Sequence, residues 1–232
     1  MLSGFSLYTA SVWILPVLLA ITFHEAAHAF AARFFGDDTA ARLGRVSLNP
    51  FRHIDLFGTV ILPGVLILSQ APFIFGYAKP VPVNFAGLRN PRADMAWVAI
   101  AGPAANIVLA LLAALSFHLV GLLSGLAPTA TAQWIFDNLK NALVINAILA
   151  VFNMLPIPPL DGGRIAVSIL PNVLARPLAR LEPYGLLILI AFIILLPLLG
   201  NQFGANLNYA SQAISGATGF VIRMVLLMTG NA

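Results

Sequence analysis

Long apolar stretches, each closed by a short cluster of charged or turn-forming residues, dominate the chain. They run from Phe5 to about Arg33, from about Asp94 to Leu123, from about Trp134 to Asn153, from Leu186 to Leu199, and from Tyr209 to Met228. Several reach or exceed the ~20 residues that a helix needs to cross a hydrocarbon core. The pattern predicts an all-α polytopic membrane protein with about five transmembrane helices, the last either a crossing or an interfacial helix. A further apolar run, Leu56 to Gly76, is interrupted at Pro63-Gly64 and lies between two basic stretches. It predicts a re-entrant hairpin, which keeps both stretches on one side of the membrane. The segment Lys79-Pro80-Val81-Pro82-Val83-Asn84 follows, and each residue before a proline is pushed toward extended geometry. A short membrane-associated β element, an edge strand, is expected there.

Composition narrows the class. The chain is 60% hydrophobic and only 9% charged, with a mean hydropathy of +0.94, whereas soluble domains carry roughly 25% charged residues. Residues 1–232 are expected as a single integral-membrane domain, with no repeat and no low-complexity tract. The net charge of +4 does not point to nucleic acid, because the basic residues are scattered between apolar segments rather than gathered into one patch. Cysteine is absent, so thiolate ligands are excluded. The first apolar run lacks a basic opening of the signal-peptide kind and is expected as a retained helix.

Charge also sets an orientation. The loops 121–133 and 200–208 contain no Lys or Arg, whereas 36–55, 77–94 and 164–180 are rich in them. The rule that basic residues stay inside predicts a multi-pass protein of the cell membrane with its N-terminus outside. Lys140 is the exception.

Within the first helix stands His24-Glu25-Ala26-Ala27-His28, and Glu25 is the first charged side chain of the chain. Residues four apart share a helix face, so His24 and His28 can present two imidazoles to one metal ion with Glu25 beside them. Neutral imidazoles suit zinc, and a carboxylate that does not ligate can take a proton from water. A third ligand must come from elsewhere. His24 precedes Arg33 by nine residues, about 14 Å at helical rise, so the pair sits at membrane depth but toward the basic, cytoplasmic end. Asp161, just before Arg164, falls at the same depth once the run from Leu56 to Gly76 is re-entrant. Ionisable groups at such depth are costly and usually functional.

Taken together, His24-Glu25-x-x-His28, Gly102-Pro103-x-x-Asn106 and Asn153-x-x-Pro156-x-x-x-Leu160-Asp161-Gly162 resemble the site-2 protease family of intramembrane zinc metalloproteases, in a minimal form without PDZ or CBS domain. The resemblance implies Zn2+ held by His24, His28 and Asp161, with Glu25 as general base. It implies that Asn153 holds the substrate, and Asn106 is a second substrate-binding candidate; for either amide, a hydrogen bond between helices is the other reading. The implied activity is hydrolysis of peptide bonds within or near transmembrane segments of protein or peptide substrates in the lipid bilayer. His53 is read as local loop capping, His118 as structural, and Gly102-Pro103 as packing. Two other functions share these residues. A divalent-metal transporter would need a second ligand cluster to pass the ion on, and the sequence lacks one. A non-catalytic membrane adaptor with a structural metal would close the fourth position, for which His53 is the candidate.

Overall fold

In the computed structural model the described residues are 7–62, 64–65, 79–123, 128–191, 195–202 and 208–232. Nine α-helices are named here: α1 (Leu7–Phe34), α2 (Thr39–Arg42), α3 (Pro91–Leu123), α4 (Thr129–Asn153), α5 (Asp161–Ile169), α6 (Asn172–Ala179), α7 (Gly185–Ile190), α8 (Leu196–Gln202) and α9 (Tyr209–Met228). Among them α1, α3, α4 and α9 are long and apolar enough to cross a membrane. The protein is an all-α, multi-pass membrane protein. The expected crossing at 186–199 is described as two short helices, α7 and α8, with 192–194 outside the described residues.

α3 is the central element, packing against α4, α1 and α5, while α9 leans on α4 and α3. The buried seams are built from alanine: Ala20, Ala26, Ala29 and Ala32 on α1, Ala99, Ala110, Ala113 and Ala114 on α3, and Ala147 and Ala150 on α4. Lipid tails are as apolar as leucine, so helices associate in a bilayer through close contact of small residues, and the large side chains turn outward. Ile14, Leu15, Leu112, Leu115, Leu119 and Phe220 are accordingly exposed.

The two ends of the bundle differ in chemistry. Where α1 and α4 begin, Tyr8 donates to Asp137 at 2.6 Å, Trp134 Nε1 to Ser11 Oγ at 2.9 Å, and Asn141 Nδ2 to Val12 O at 2.9 Å, so these helices run parallel. At the other end arginines bind backbone: Arg89 Nη2 donates to Phe34 O at 2.6 Å, Arg45 Nη2 to Lys79 O at 2.7 Å, and Arg92 Nε to Ser168 O at 2.6 Å. Arg223 departs from the expected clustering. His118 of α3 bonds Thr229 O at 2.7 Å, and Asn231 Nδ2 donates to Ala114 O at 2.9 Å. The C-terminus of α9 therefore lies beside the later half of α3, and Arg223, two turns earlier, is nearer that end than the arginine-rich one.

One local expectation changes, and another is described only at its start. The re-entrant hairpin at Leu56 to Gly76 falls largely outside the described residues; its first turn, Leu56–Ile61, is a wide π-type turn whose start is capped by Asp55 accepting from Gly58 N at 2.7 Å. Residues 79–84 form no helix and no β-strand among the described residues, and at Asn84 the backbone is extended. Pro80 and Pro82 have no N–H to give a ladder. Three of the four remaining amides go elsewhere: Lys79 N to His53 O at 3.0 Å, Val81 N to Glu25 Oε2 at 2.7 Å, and Asn84 N to Asp37 Oδ2 at 2.7 Å.

Candidate metal centre

One turn of α1 carries the two histidines, and α3 fixes how they point. His28 Nδ1 lies 2.7 Å from Val98 O and His24 Nδ1 lies 2.6 Å from Asn106 Oδ1. A carbonyl can only accept. The carboxamide of Asn106 is oriented by its own donors, since its Nδ2 bonds Ala20 O at 3.2 Å and Asn146 Oδ1 at 2.8 Å. Both imidazoles therefore carry a proton on Nδ1, and in the neutral form that binds a metal they turn a bare Nε2 toward the same point. Asp161, the first residue of α5, arrives from the opposite side. Its Oδ2 is 3.3 Å from each Nε2, and the two Nε2 atoms are 3.0 Å apart.

This arrangement tests whether a metal fits. Three lone-pair atoms face one another with no hydrogen between them, and Asp161 Oδ2 is buried with no hydrogen-bond partner. Such a group is electrostatically unfavourable unless a cation joins it. Around a tetrahedral zinc with bonds of ~2.0 Å, donor atoms stand ~3.3 Å apart, the spacing these three already have. Nitrogen and carboxylate donors also match zinc, and among the described residues His24, His28 and Asp161 are the group able to hold a metal. Three protein donors leave a position open. His53, the candidate for closing it, is elsewhere: its ring is buried and Nε2 bonds Ser47 O at 2.7 Å, tying up its own loop.

Glycines make the approach of these elements feasible. A Cβ on Gly102 of α3 would stand 2.4 Å from His28 Nε2 and 2.6 Å from His24 Cε1. At Gly162 and Gly163 a Cβ would fall 2.2 Å from Met154 O and 2.3 Å from Pro158 N, because the loop 154–160 folds back over the first turn of α5. Asp161 sits in that first turn, where the helix dipole favours a negative charge.

Glu25 is half-buried, next to His24, with Oε2 held by Val81 N and no bond to Oε1 among the described residues. The segment that holds it is anchored at its far end by Asp37. Burial pushes the Asp37 carboxyl up, but the hydroxyl and N–H of Thr39, the N–H of Asn84 and nearby Arg42 outweigh it, so its pKa lies below the ordinary carboxylate value.

The amides are placed differently from one another. Asn106, for which a substrate contact and a hydrogen bond between helices were both open, is fully buried behind His24, its carboxamide bonded to His24, Ala20 and Asn146. Asn153, at the end of α4, is half-buried; its Nδ2 donates to Leu149 O at 3.0 Å, and its oxygen takes no hydrogen bond from the described residues. Sequence reading missed two contributors, Val98 and Asn146, and named a third, Gly102, only as packing. Val98 acts through a backbone carbonyl, which leaves no trace in residue type. Gly102 acts through a missing atom. Asn146 did leave a signal, an amide within the otherwise apolar stretch 142–152.

A membrane-embedded helical bundle that brings an H-E-x-x-H helix and a buried aspartate to one open metal position has the make-up of a metallopeptidase. The comparisons agree: the model of peptidase family M50 matches residues 12–140 and 116–196, and the chain belongs to that family. YwhC of Bacillus subtilis, named as a zinc metalloprotease, is 35% identical over 184 residues, 78% of this chain and 79% of its own length. Rip2 of Mycolicibacterium smegmatis, also named as a zinc metalloprotease, is 31% identical over 208 residues, 88% of this chain and 74% of its own. No solved structure matches. The protein is a zinc metallopeptidase of family M50.

Proposed function

We propose that this protein, as one integral-membrane domain, hydrolyses peptide bonds within or near transmembrane segments of membrane-protein substrates, from the cytoplasmic side of the cell membrane. The observation that carries the reading is the convergence of His24, His28 and Asp161 beside Glu25 on α1, a helix apolar and long enough to span a bilayer. His24 Nε2, His28 Nε2 and Asp161 Oδ2 are the donors for zinc. When bound, the zinc supplies Lewis-acid activation of water and of the peptide carbonyl. Glu25 accepts the proton of the attacking water and delivers it to the leaving amine. Val81 N–H holds one oxygen of that carboxylate and leaves Oε1 for the water. Asn153, with its oxygen unused, is assigned to the substrate backbone. A transmembrane substrate keeps its amides bonded within its own helix, so a carbonyl must be unwound before attack. Residues 79–84, which lie against Glu25 through Val81, offer a place for it.

The cytoplasmic assignment rests on the arginine-rich end, which holds Arg45, Arg89 and Arg92 and includes the end of α1 that bears the histidines. The reading is tested with purified wild type and Glu25→Gln: zinc by mass spectrometry, and cleavage of a panel of single-span substrates. Zinc in both with cleavage in wild type alone is the expected result; zinc transport into proteoliposomes with no cleavage by either would replace it with a transporter.

A further inference from the structure

The segment after α5 carries chemistry that hydrolysis does not use. α6 is strongly one-sided. Ala175 faces inward and is buried, while Val173 is 82% exposed and Leu174 56%. Leu181 and Tyr184, just beyond, are exposed as well. At 100° per residue, Val173, Leu174, Pro177, Leu178 and Leu181 share one arc, Ala175 and Ala179 lie opposite, and Arg176 and Arg180 stand together at the rim. Both arginines are exposed, and neither makes an ion pair among the described residues. The nearest acid, Glu182, is already engaged by Arg164 at 3.5 Å.

The depth of this helix is fixed by α3. Arg92, in the first turn of α3, donates to the carbonyls of Ser168 at 2.6 Å and of Leu170, and to Asn172 Oδ1 at 3.2 Å. α3 has 33 residues, roughly 50 Å at helical rise, against a hydrocarbon core of about 30 Å. Its first turn holds the charged Arg92 and Asp94, which belong at the membrane surface rather than within it. α6, clamped level with that turn, thus lies at headgroup depth, with an apolar arc on one side and two unpaired cations at its rim. Water does not suit the arc, and hydrocarbon does not suit the arginines. An interface with negative headgroups suits both.

We propose that α6 is an interfacial helix that seats its exposed arc at the headgroup boundary and binds anionic phospholipid headgroups through Arg176 and Arg180. The inference rests on the multi-pass membrane fold and not on the peptidase assignment, so a failure of either leaves the other standing. Because Leu170-Pro171 alone joins α5 to α6, the lipid also fixes the far end of the helix that begins with Asp161.

The chain has no cysteine, so a single Val173→Cys gives a unique spin label on the full-length protein. It is reconstituted in vesicles of phosphatidylcholine and of phosphatidylcholine with phosphatidylglycerol, and label depth is read from collisions with oxygen and with a water-soluble nickel chelate. The expected label is oxygen-rich and nickel-poor, and deeper with phosphatidylglycerol. The Arg176→Gln/Arg180→Gln pair is expected to abolish that dependence, and Arg176→Lys/Arg180→Lys to keep it. Bound phosphatidylglycerol relative to phosphatidylcholine, counted by native mass spectrometry, is expected to fall about 25-fold in the Gln pair, at about fivefold per arginine near an anionic surface. Retained zinc shows that each variant is folded, and the Lys pair carries the comparison if the Gln pair loses it. A label open to nickel in both lipids, one shielded from both reagents as in a protein contact, or an unchanged lipid preference in the Gln pair would overturn the proposal.

Discussion

Gly102 lies directly beneath the two imidazoles, where a Cβ would stand 2.4 Å from His28 Nε2. The rings cannot swing away, because Val98 O and Asn106 Oδ1 hold them from behind. Gly102→Ala is therefore expected to push the donors apart while the helix itself tolerates alanine well. Zinc content should drop to well below one per chain and cleavage by at least about a hundredfold, the upper range for disturbed metal-site surroundings. Full zinc loading in Gly102→Ala, measured by mass spectrometry, would contradict this account.

Asn106→Ala removes the acceptor that fixes the His24 tautomer, and leaves the oxygen of Asn146 without its donor in a buried site. Outer partners of metal-bound histidines are typically worth 10–100-fold in affinity. Zinc release to a competing chelator should accelerate over that range. Asn153→Ala, by contrast, should keep the metal and lower cleavage, since its amide takes no part in holding His24, His28 or Asp161.

Arg45 is buried, and its Nη2 ties Lys79 O to the body of the protein at 2.7 Å. Arg45→Met should loosen the segment 79–84 without touching His24, His28 or Asp161. Faster hydrogen exchange at Val81 and about tenfold slower cleavage, with zinc retained, are expected. Equal exchange in both proteins would show that the segment is held by other contacts.

The far anchor of that segment responds to acid. The pKa of Asp37 is depressed, so its stabilising contribution is full above the unfolded carboxylate value of ~3.9 and is lost as pH falls through the lower folded value. Resistance to proteolysis near Asn84 should thus decline below about pH 4 in wild type. In Asp37→Asn it should be weaker at neutral pH and nearly flat across that range.

What could be read in advance was whatever chemistry a side chain declares by its type and spacing. His24 and His28 lie four residues apart on one helix with Glu25 between them, and the apolar runs of α1, α3 and α4 had to be helices because no other open backbone satisfies itself in lipid. Asp161 was legible through its depth beside Arg164. The position of the last helix was not, because nothing in Arg223 records that Asn231 will bind Ala114 O. The edge strand expected at 79–84 is not formed, because the partners of that segment are the carboxylates of Glu25 and Asp37 and the guanidinium of Arg45 rather than a neighbouring strand. The role of Gly102 was hidden for a different reason: a glycine states only that something lacks room, and the histidines above it became visible only once α1 and α3 were placed together.

The backs of both histidines rest on α3, while the third donor arrives 137 residues after the first, on α5 (161 − 24 = 137). A nascent chain that has inserted α1 alone therefore holds two loosely oriented imidazoles and an acid with nothing to act on. Cutting ability arises only when the middle of the chain has been threaded and the later part has closed over it. A metallopeptidase built this way is inert until α5 has joined α1 and α3.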